Sequence, residues 1–229
     1  MIKLYDLVGR DDRRFSPTCW RVKMALAHKG LDWTTIPTAF TLIPALAGGT
    51  ARTVPLIDHD GHLVADSRRI ARYLEDSFPD RPPLFGSAAA EALTDFVDAW
   101  VLETLHKQLI GLVVFDIHEH CLDCDRAYFR ASREQRFERR LEDVQAGRDE
   151  RVAAFRAGLL PLRLLLERHP YLGGRRPIYA DYIVLGAFQW VRSVSDFRVL
   201  ADDDPLRDYL SRLMALHDGL ARKAVAYPL

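Results

Sequence analysis

The chain has 229 residues, enough for one large domain or two small ones with a sizeable buried core. It carries 32 basic and 32 acidic residues, and this formal charge of zero argues against nucleic acid as a partner. The three cysteines lack the spacing of a disulfide scaffold, which favours reduced thiols. The sequence contains no run of about 20 apolar residues, the length that a membrane span needs. We therefore expect a soluble, cytoplasmic protein that binds a small molecule and no membrane.

The first third of the chain alternates between strand and helix patterns. In order, these are a strand over 2–5, a helix ended by Lys29-Gly30, a strand over 33–37, a hairpin around Asp60-Gly61 and a helix over 67–78. Asp-Gly between apolar runs is a strong hairpin signal, and a glycine after a basic residue is typical of a helix end. This order predicts an α/β thioredoxin-like domain (βαβ-ββα) over residues 1–78.

The rest of the chain has the composition of helices. Pro79 to Pro83 cannot continue the preceding helix and predicts a linker over 79–86. The first expected helix is long and has one apolar face, formed by Leu93, Phe96, Val97, Trp100, Val101 and Leu105. Four more helices are expected after it. They span 126–144, 151–168 with a bend near Pro161, 182–194, which should be buried, and 206–220. We predict an all-α helical-bundle domain over residues 87–229.

The first helix begins at Ser16-Pro17, where serine is a good N-cap and proline suits the first helical position. A hydroxyl at this place, beside free N–H groups and the positive end of the helix dipole, can also stabilise a thiolate brought by a ligand. The residues alone leave both interpretations open.

Further motifs accompany Ser16-Pro17 in a fixed order along the chain. They are Val54-Pro55, Asp66-Ser67, Gly173-Gly174, Pro177 and Ala180-Asp181. With these motifs the sequence resembles the glutathione S-transferases over nearly its whole length. More narrowly, Trp20-Arg21, Ser132 to Gln135, Leu141 to Arg148 and Asp203 to Asp208 resemble the bacterial β-aryl etherase branch, which cleaves lignin-derived ethers, and the related fungal Ure2p-like class.

The resemblance implies glutathione as co-substrate and gives each motif a role. Ser16 would hydrogen-bond the glutathione sulfur, and Val54, before a cis Pro55, would pair with its cysteinyl unit. Ser67 would hold the γ-glutamyl carboxylate at a helix N-terminus, and Asp66 would receive the ammonium. Arg52 would pair with the glycyl carboxylate, although a solvated loop arginine is the commoner fate.

The implied activity is that of a detoxifying transferase, in which the thiolate attacks an electrophilic carbon of a hydrophobic aromatic molecule. The etherase resemblance implies cleavage of a β-aryl ether to a glutathione thioether and a phenol. Candidate pocket aromatics are Phe115, Tyr128, Phe129 and Trp190, each of which periodicity would equally place in the core. The family also implies a homodimer. The alternatives are a non-catalytic protein that binds glutathione and hydrophobic ligands, and a glutathione-dependent isomerase or reductase.

Three other features of the sequence carry expectations of their own. Cys19 follows Ser16 in a Ser-x-x-Cys pattern, which lacks the first cysteine of a redox motif and predicts a buried thiol. The tract His118 to Cys124 is rich in metal-ligand residue types but lacks a zinc-site spacing, so we expect no metal and a polar connection between helices. Ile178 stands where the family has a polar cap, and Asp181 should reach back to cap that helix instead.

Overall fold

The computed structural model describes residues 1–229 and contains one four-stranded sheet. The strands are β1 (Ile2–Leu7), β2 (Trp33–Thr38), β3 (Leu56–His59) and β4 (His62–Ala65). Their spatial order is β2-β1-β3-β4, with β1 parallel to β2 and the other two pairings antiparallel. The predicted hairpin at Asp60-Gly61 joins β3 to β4.

Two α-helices belong to this sheet, α1 (Pro17–His28) and α2 (Ser67–Ser77), and a 3₁₀ segment, Phe40–Gly49, follows β2. Helix α2 buries an apolar strip at helical spacing, Ile70, Ala71 and Leu74, each without solvent exposure. The predicted order of strand, helix, strand, hairpin and helix is confirmed, and the N-terminal part has the thioredoxin-like fold.

The remainder of the chain is helical, as predicted. Helix α3 (Ala88–Trp100) continues through a π-helical segment (Val101–His106) into α4 (Lys107–His120). The later helices are α5 (Asp123–Phe137), α6 (Leu141–Gln145), α7 (Arg148–Gly158), α8 (Leu160–Leu166), α9 (Tyr179–Val194) and α10 (Leu206–Gly219). None of the helices is both long and apolar enough to cross a membrane.

Two helix predictions were wrong in detail, and a third was confirmed. The segment 126–144 is two helices, because Glu138 adopts a left-handed conformation with φ 53° between α5 and α6. The segment 151–168 is interrupted at Leu159, which confirms the bend expected near Pro161. The single apolar face of the first long helix is also wrong, since Leu93 and Phe96 are 66% and 69% exposed while the inward position is taken by Thr94.

Helix α9 is the centre of the helical part and lies directly against the start of α1. Every residue of α9 except Arg192 is buried. The backbones approach so closely at Gly186 that a Cβ there would lie 2.4 Å from the Pro17 carbonyl oxygen. The buried helix α9 therefore packs directly against the N-terminus of α1 and supports it.

The expected cap of α9 by Asp181 is confirmed. Its carboxylate accepts from the Ile178 N–H at 2.9 Å, from the Leu172 N–H at 2.8 Å and from the Tyr209 hydroxyl at 2.9 Å. Ile178 lacks a polar side chain, so the carboxylate three residues later supplies the oxygen that satisfies its N–H.

An ion pair at the start of α10 should make stability depend on acid pH. Asp204 accepts from the Arg163 Nε at 3.1 Å and Nη2 at 2.6 Å, and from the Leu206 N–H at 3.0 Å. Burial alone would raise the pKa of the Asp204 carboxyl, but these hydrogen bonds outweigh it and hold that pKa below its ordinary value.

The lowered pKa means that Asp204 contributes stability above its unfolded pKa of about 3.9 and loses it as the pH falls through the lower folded value. We expect Asp204→Asn to lower the free energy of unfolding at neutral pH, and the gap to the parent to shrink in strong acid. Urea denaturation across the acid range measures both. A gap that stays constant with pH would contradict this role of the charge.

Candidate functional site

The N-terminus of α1 presents the Ser16 hydroxyl at the junction of the two structural parts. The Cys19 N–H donates to Ser16 Oγ at 3.2 Å, so Ser16 is the N-cap that its sequence predicts. Cys19 itself has no solvent exposure, as expected. Its burial, and then the negative charge of Asp6, raise the pKa of the Cys19 thiol, which leaves this sulfur protonated at neutral pH.

A short chain of hydroxyls links Ser16 to the Val54-Pro55 peptide, which is cis. Ser16 Oγ lies 3.1 Å from Thr18 Oγ1, and Thr18 Oγ1 donates to the Val54 carbonyl at 3.3 Å. Since the single hydroxyl proton of Thr18 is used toward Val54, Ser16 must donate in the contact between the two hydroxyls. The Ser16 oxygen thus accepts from a backbone N–H, and its own proton is directed to Thr18.

Helix α2 begins at Asp66-Ser67, and each of these side chains has a polar atom with no hydrogen-bond partner within the chain. Asp66 has φ 77° and its Oδ1 accepts from the N–H groups of Arg68 and Arg69 at 3.0 Å each. Ser67 is 4% exposed, and the Tyr179 hydroxyl donates to its carbonyl at 2.8 Å. The Ser67 hydroxyl makes no hydrogen bond within the chain, and neither does Asp66 Oδ2. These groups fit an amino acid ligand that carries both a carboxylate and an ammonium.

A cavity of about 360 Å³ opens over Ser16 between the two structural parts. Of the residues predicted from the sequence, it brings together Ser16, Arg52, Val54, Tyr128, Phe129 and Trp190. Pro55, Asp66 and Ser67 do not line it. Its walls are mostly apolar and aromatic, which suits a hydrophobic small molecule with few polar groups.

Phe115 does not line the cavity, so the structure corrects its expected place in the pocket. Its ring stacks on His118 at 5.9 Å between centroids and lies under Arg130, 6.0 Å from the guanidinium carbon. Helical periodicity could not separate Phe115 from Phe129 because both occupy plausible inward positions, and only the packing of α4 against α5 decides between them.

Several lining residues were not found from the sequence. They are Phe15, Phe40, Ile43, Pro44, Ile110, Ile117 and Arg133. Phe40, Ile43 and Pro44 come from the 3₁₀ segment, which Asp125 of α5 fixes in place. The Asp125 carboxylate accepts from the Phe40 N–H at 2.8 Å, and from the Thr41 N–H and hydroxyl at 2.9 and 2.8 Å.

The side chains of the tract His118 to Cys124 turn to different partners. His118 contacts Glu119 at 3.0 Å, His120 contacts the Tyr227 hydroxyl at 3.1 Å, Cys121 is buried and Cys124 is exposed. The expected polar connection is shorter than predicted, because α4 extends to His120.

Comparisons with known proteins agree with this geometry. Residues 15–77 match the family model "Glutathione S-transferase, N-terminal domain" and residues 92–218 match "Glutathione S-transferase, C-terminal domain". A glutathione S-transferase-like protein of Aspergillus flavus, ustS, is 24% identical over an alignment of 215 residues that covers 82% of this chain and 78% of that protein.

Solved structures give the same assignment. Glutathione transferase GSTFuA2 of Phanerochaete chrysosporium is 29% identical with a TM-score of 0.76, over 96% of this chain and 93% of that one. A Ceriporiopsis subvermispora glutathione S-transferase, solved in complex with glutathione, has the same fold, with 23% identity and a TM-score of 0.80 over 95% and 96% of the two chains. The chain therefore belongs to the glutathione S-transferase family, with glutathione as its co-substrate.

Proposed function

We propose that Ser16 stabilises the thiolate of bound glutathione and that the cavity above it holds an aromatic acceptor. The observation that carries this proposal is the hydrogen bonding of Ser16. Its oxygen is occupied by the Cys19 N–H while its proton is directed only to Thr18, at the positive end of α1. A thiolate placed there would receive this proton as a charge-assisted hydrogen bond.

The reaction we propose is attack of the glutathione sulfur on an electrophilic carbon of the acceptor. In a β-aryl ether, the carbon–sulfur bond forms as the carbon–oxygen bond breaks, and the electron pair leaves with the phenolate. The aromatic walls formed by Phe15, Phe40, Phe129 and Trp190 support an acceptor with at least one aryl ring.

Mass spectrometry of glutathione adducts against a panel of aryl ethers, epoxides and aryl halides tests the proposed reaction. We expect thioethers from at least one aryl class. If glutathione and aromatic ligands bind without forming any adduct, the chain is a binding protein. If they give isomerised or reduced products without a thioether, it is an isomerase or reductase.

We further propose that glutathione is held by residues 1–78, joined through a linker over 79–86 to an acceptor-binding part over 87–229. Ser67 and Asp66 would bind its γ-glutamyl carboxylate and ammonium, the backbone of Val54 its cysteinyl unit, and Arg52 its glycyl carboxylate. The unpartnered Ser67 hydroxyl and Asp66 Oδ2 support this arrangement.

Ser67→Ala should weaken glutathione binding by about 1–3 kcal/mol, the value of a hydrogen bond to a charged group. Stability should change little, because the cap of α2 comes from Asp66. Isothermal titration calorimetry measures the affinity, and Ser77→Ala at the far end of α2 is the control. Equal affinity in the parent and Ser67→Ala would place the ligand elsewhere.

We also propose that the chain forms a twofold homodimer through an apolar surface on both structural parts. Leu93 and Phe96 of α3 and Leu63 of β4 are 66%, 69% and 46% exposed, and a partner subunit could cover these large apolar side chains. A twofold contact must be self-complementary, so the sheet side of one subunit would face the helical side of its partner.

The double variant Leu93→Glu, Phe96→Glu should sediment as a monomer at micromolar concentration, because two buried charges at the contact would cost more than a dimer gains. Leu160→Glu, which changes a side chain of α8 that is 53% exposed, should leave the dimer intact. A monomeric parent in sedimentation velocity would refute the proposal.

A further inference from the structure

A second cavity of about 420 Å³ lies next to the one over Ser16, between the π-helical segment and α5. Ile110, Arg133 and Trp190 line both cavities, so they form the boundary between them. Ser16 lines only the first. An acceptor that reacts near Ser16 could therefore extend past Arg133 into the second cavity.

The arginines of α5 divide into two groups by their partners. Arg126 pairs with Glu119 at 2.7 Å, and Arg130 pairs with Glu134 at 2.7 Å and Glu142 at 2.8 Å. Arg133 and Arg136, which line the second cavity, contact no carboxylate within 4.0 Å. The α5 arginines that line the second cavity are thus the ones left without a counter-ion.

The remaining ionisable groups around the two cavities do not compensate this charge. Glu103 is the single acidic residue lining either cavity, and it is paired with Lys107, which lines the same wall. Arg52 adds a further positive charge to the first cavity. Burial lowers the pKa of His106 to about 3, so His106 is uncharged at neutral pH. The combined site carries a net positive charge.

Arg133 is also held in a fixed position. Its guanidinium carbon lies 4.8 Å from the centroid of the Phe129 ring and 5.7 Å from that of Phe40, and its Nη1 donates to Ser132 Oγ at 3.0 Å. The other guanidinium N–H groups have no acceptor within the chain. Half-buried and preorganised donors of this kind bind a carboxylate well, because little side-chain entropy is lost on binding.

We infer that the acceptor is an aromatic acid, whose aryl ring lies in the first cavity and whose carboxylate is bound by Arg133 and Arg136 in the second. This inference rests on the proposed function, since it names the class of molecule that the same site would accept. It makes Arg133 a specificity-determining residue and gives it no part in the bond-making step.

A matched pair of acceptors tests the inference, 4-chloro-3-nitrobenzoate and its neutral amide, 4-chloro-3-nitrobenzamide. In both, the glutathione sulfur forms a bond to the ring carbon, the carbon–chlorine bond breaks, chloride leaves with the electron pair, and the thiol proton passes to solvent. Binding of both compounds in the presence of S-methylglutathione is measured separately by quenching of tryptophan fluorescence, to which Trp190 contributes.

We expect the parent to prefer the benzoate about 10- to 100-fold in both binding and kcat/KM, the range for a hydrogen-bonded charged group. Arg133→Gln should remove most of this preference, Arg133→Lys should keep part of it, and Arg136→Gln should reduce it. Arg126→Gln, which removes the same charge from α5 outside the cavities, should leave it unchanged. Added salt should weaken the preference, as for any partly exposed ion pair.

Two results would overturn the inference. One is a parent that binds the benzoate and the amide equally, a comparison that needs no variant to fold. The other is a preference that survives in a folded Arg133→Gln protein. A benzoate preference in binding without any conjugation of either compound would refute the proposed reaction and leave the inference about the acceptor intact.

Discussion

Ser16→Ala should slow thioether formation by about 100- to 1,000-fold, the loss of ~2.7–4 kcal/mol that follows removal of one preorganised donor to a developing or full anion. The Thr18 hydroxyl should not replace Ser16 as the donor to the glutathione sulfur. The Thr18 proton is directed to the Val54 carbonyl at 3.3 Å, so its hydroxyl faces Ser16 with a lone pair. Single-turnover rates with saturating glutathione measure the effect.

The Ser16→Ala variant also loses a helix cap, worth about 1 kcal/mol of stability, and a control must separate the two roles. Ser87 is a suitable control because it caps α3 in the same way, accepting from the Ala90 N–H at 3.2 Å, away from the cavity. Ser87→Ala should lose similar stability and no activity.

Ser16→Asp separates cap from thiolate stabiliser within one position. An aspartate keeps a capping oxygen but places a negative charge against the thiolate, which should raise the pKa of the bound thiol and slow the reaction at neutral pH. The rate should recover as the pH rises through the new thiol pKa. If this variant folds normally and its rate-versus-pH curve overlays that of the parent, Ser16 is a cap and nothing more.

Much of the fold could be predicted because its signals are local. Asp60-Gly61, Ser16-Pro17 and the apolar length of α9 each determine an element through a few neighbouring residues. The division of 126–144 could not be predicted in the same way. Glu138 has no special preference for the left-handed conformation that ends α5 there, and the break depends on how α5 and α6 pack.

The residues of the candidate site also divide into those with a local sequence signal and those recognised only in the folded structure. Ser16, Val54 and Ser67 could be proposed as glutathione-binding residues because each lies in a short motif that carries the family resemblance. Arg133 could not be given a role, because its importance comes from what it lacks, a carboxylate partner, and partners are known only once α5 is placed beside the cavity. Asp125 was missed for the opposite reason, since its partners lie 84 and 85 residues earlier in the chain.

Asp125→Ala should lower the free energy of unfolding by about 2–4 kcal/mol, because it removes a charged acceptor from two backbone N–H groups of the 3₁₀ segment. The Asp125 side chain has no solvent exposure, so its loss also leaves a small void. Urea denaturation measures the stability. Asp123→Ala, two residues away on an exposed side chain, is the control and should cost far less.

The same variant should damage the acceptor site more than the glutathione site. The 3₁₀ segment supplies Phe40, Ile43 and Pro44 to the cavity, and Asp125 is the group of α5 that holds its first turn. We expect faster hydrogen exchange over residues 40–49 and a raised KM for the acceptor, with glutathione affinity nearly unchanged. Asp125→Asn should fall between parent and Ala, because its amide oxygen can still accept from Thr41 while its NH₂ group faces the Phe40 N–H. Equal loss of affinity for both substrates would mean that the hydrogen bonds of Asp125 to the 3₁₀ segment support the whole α1 region and not the acceptor cavity alone.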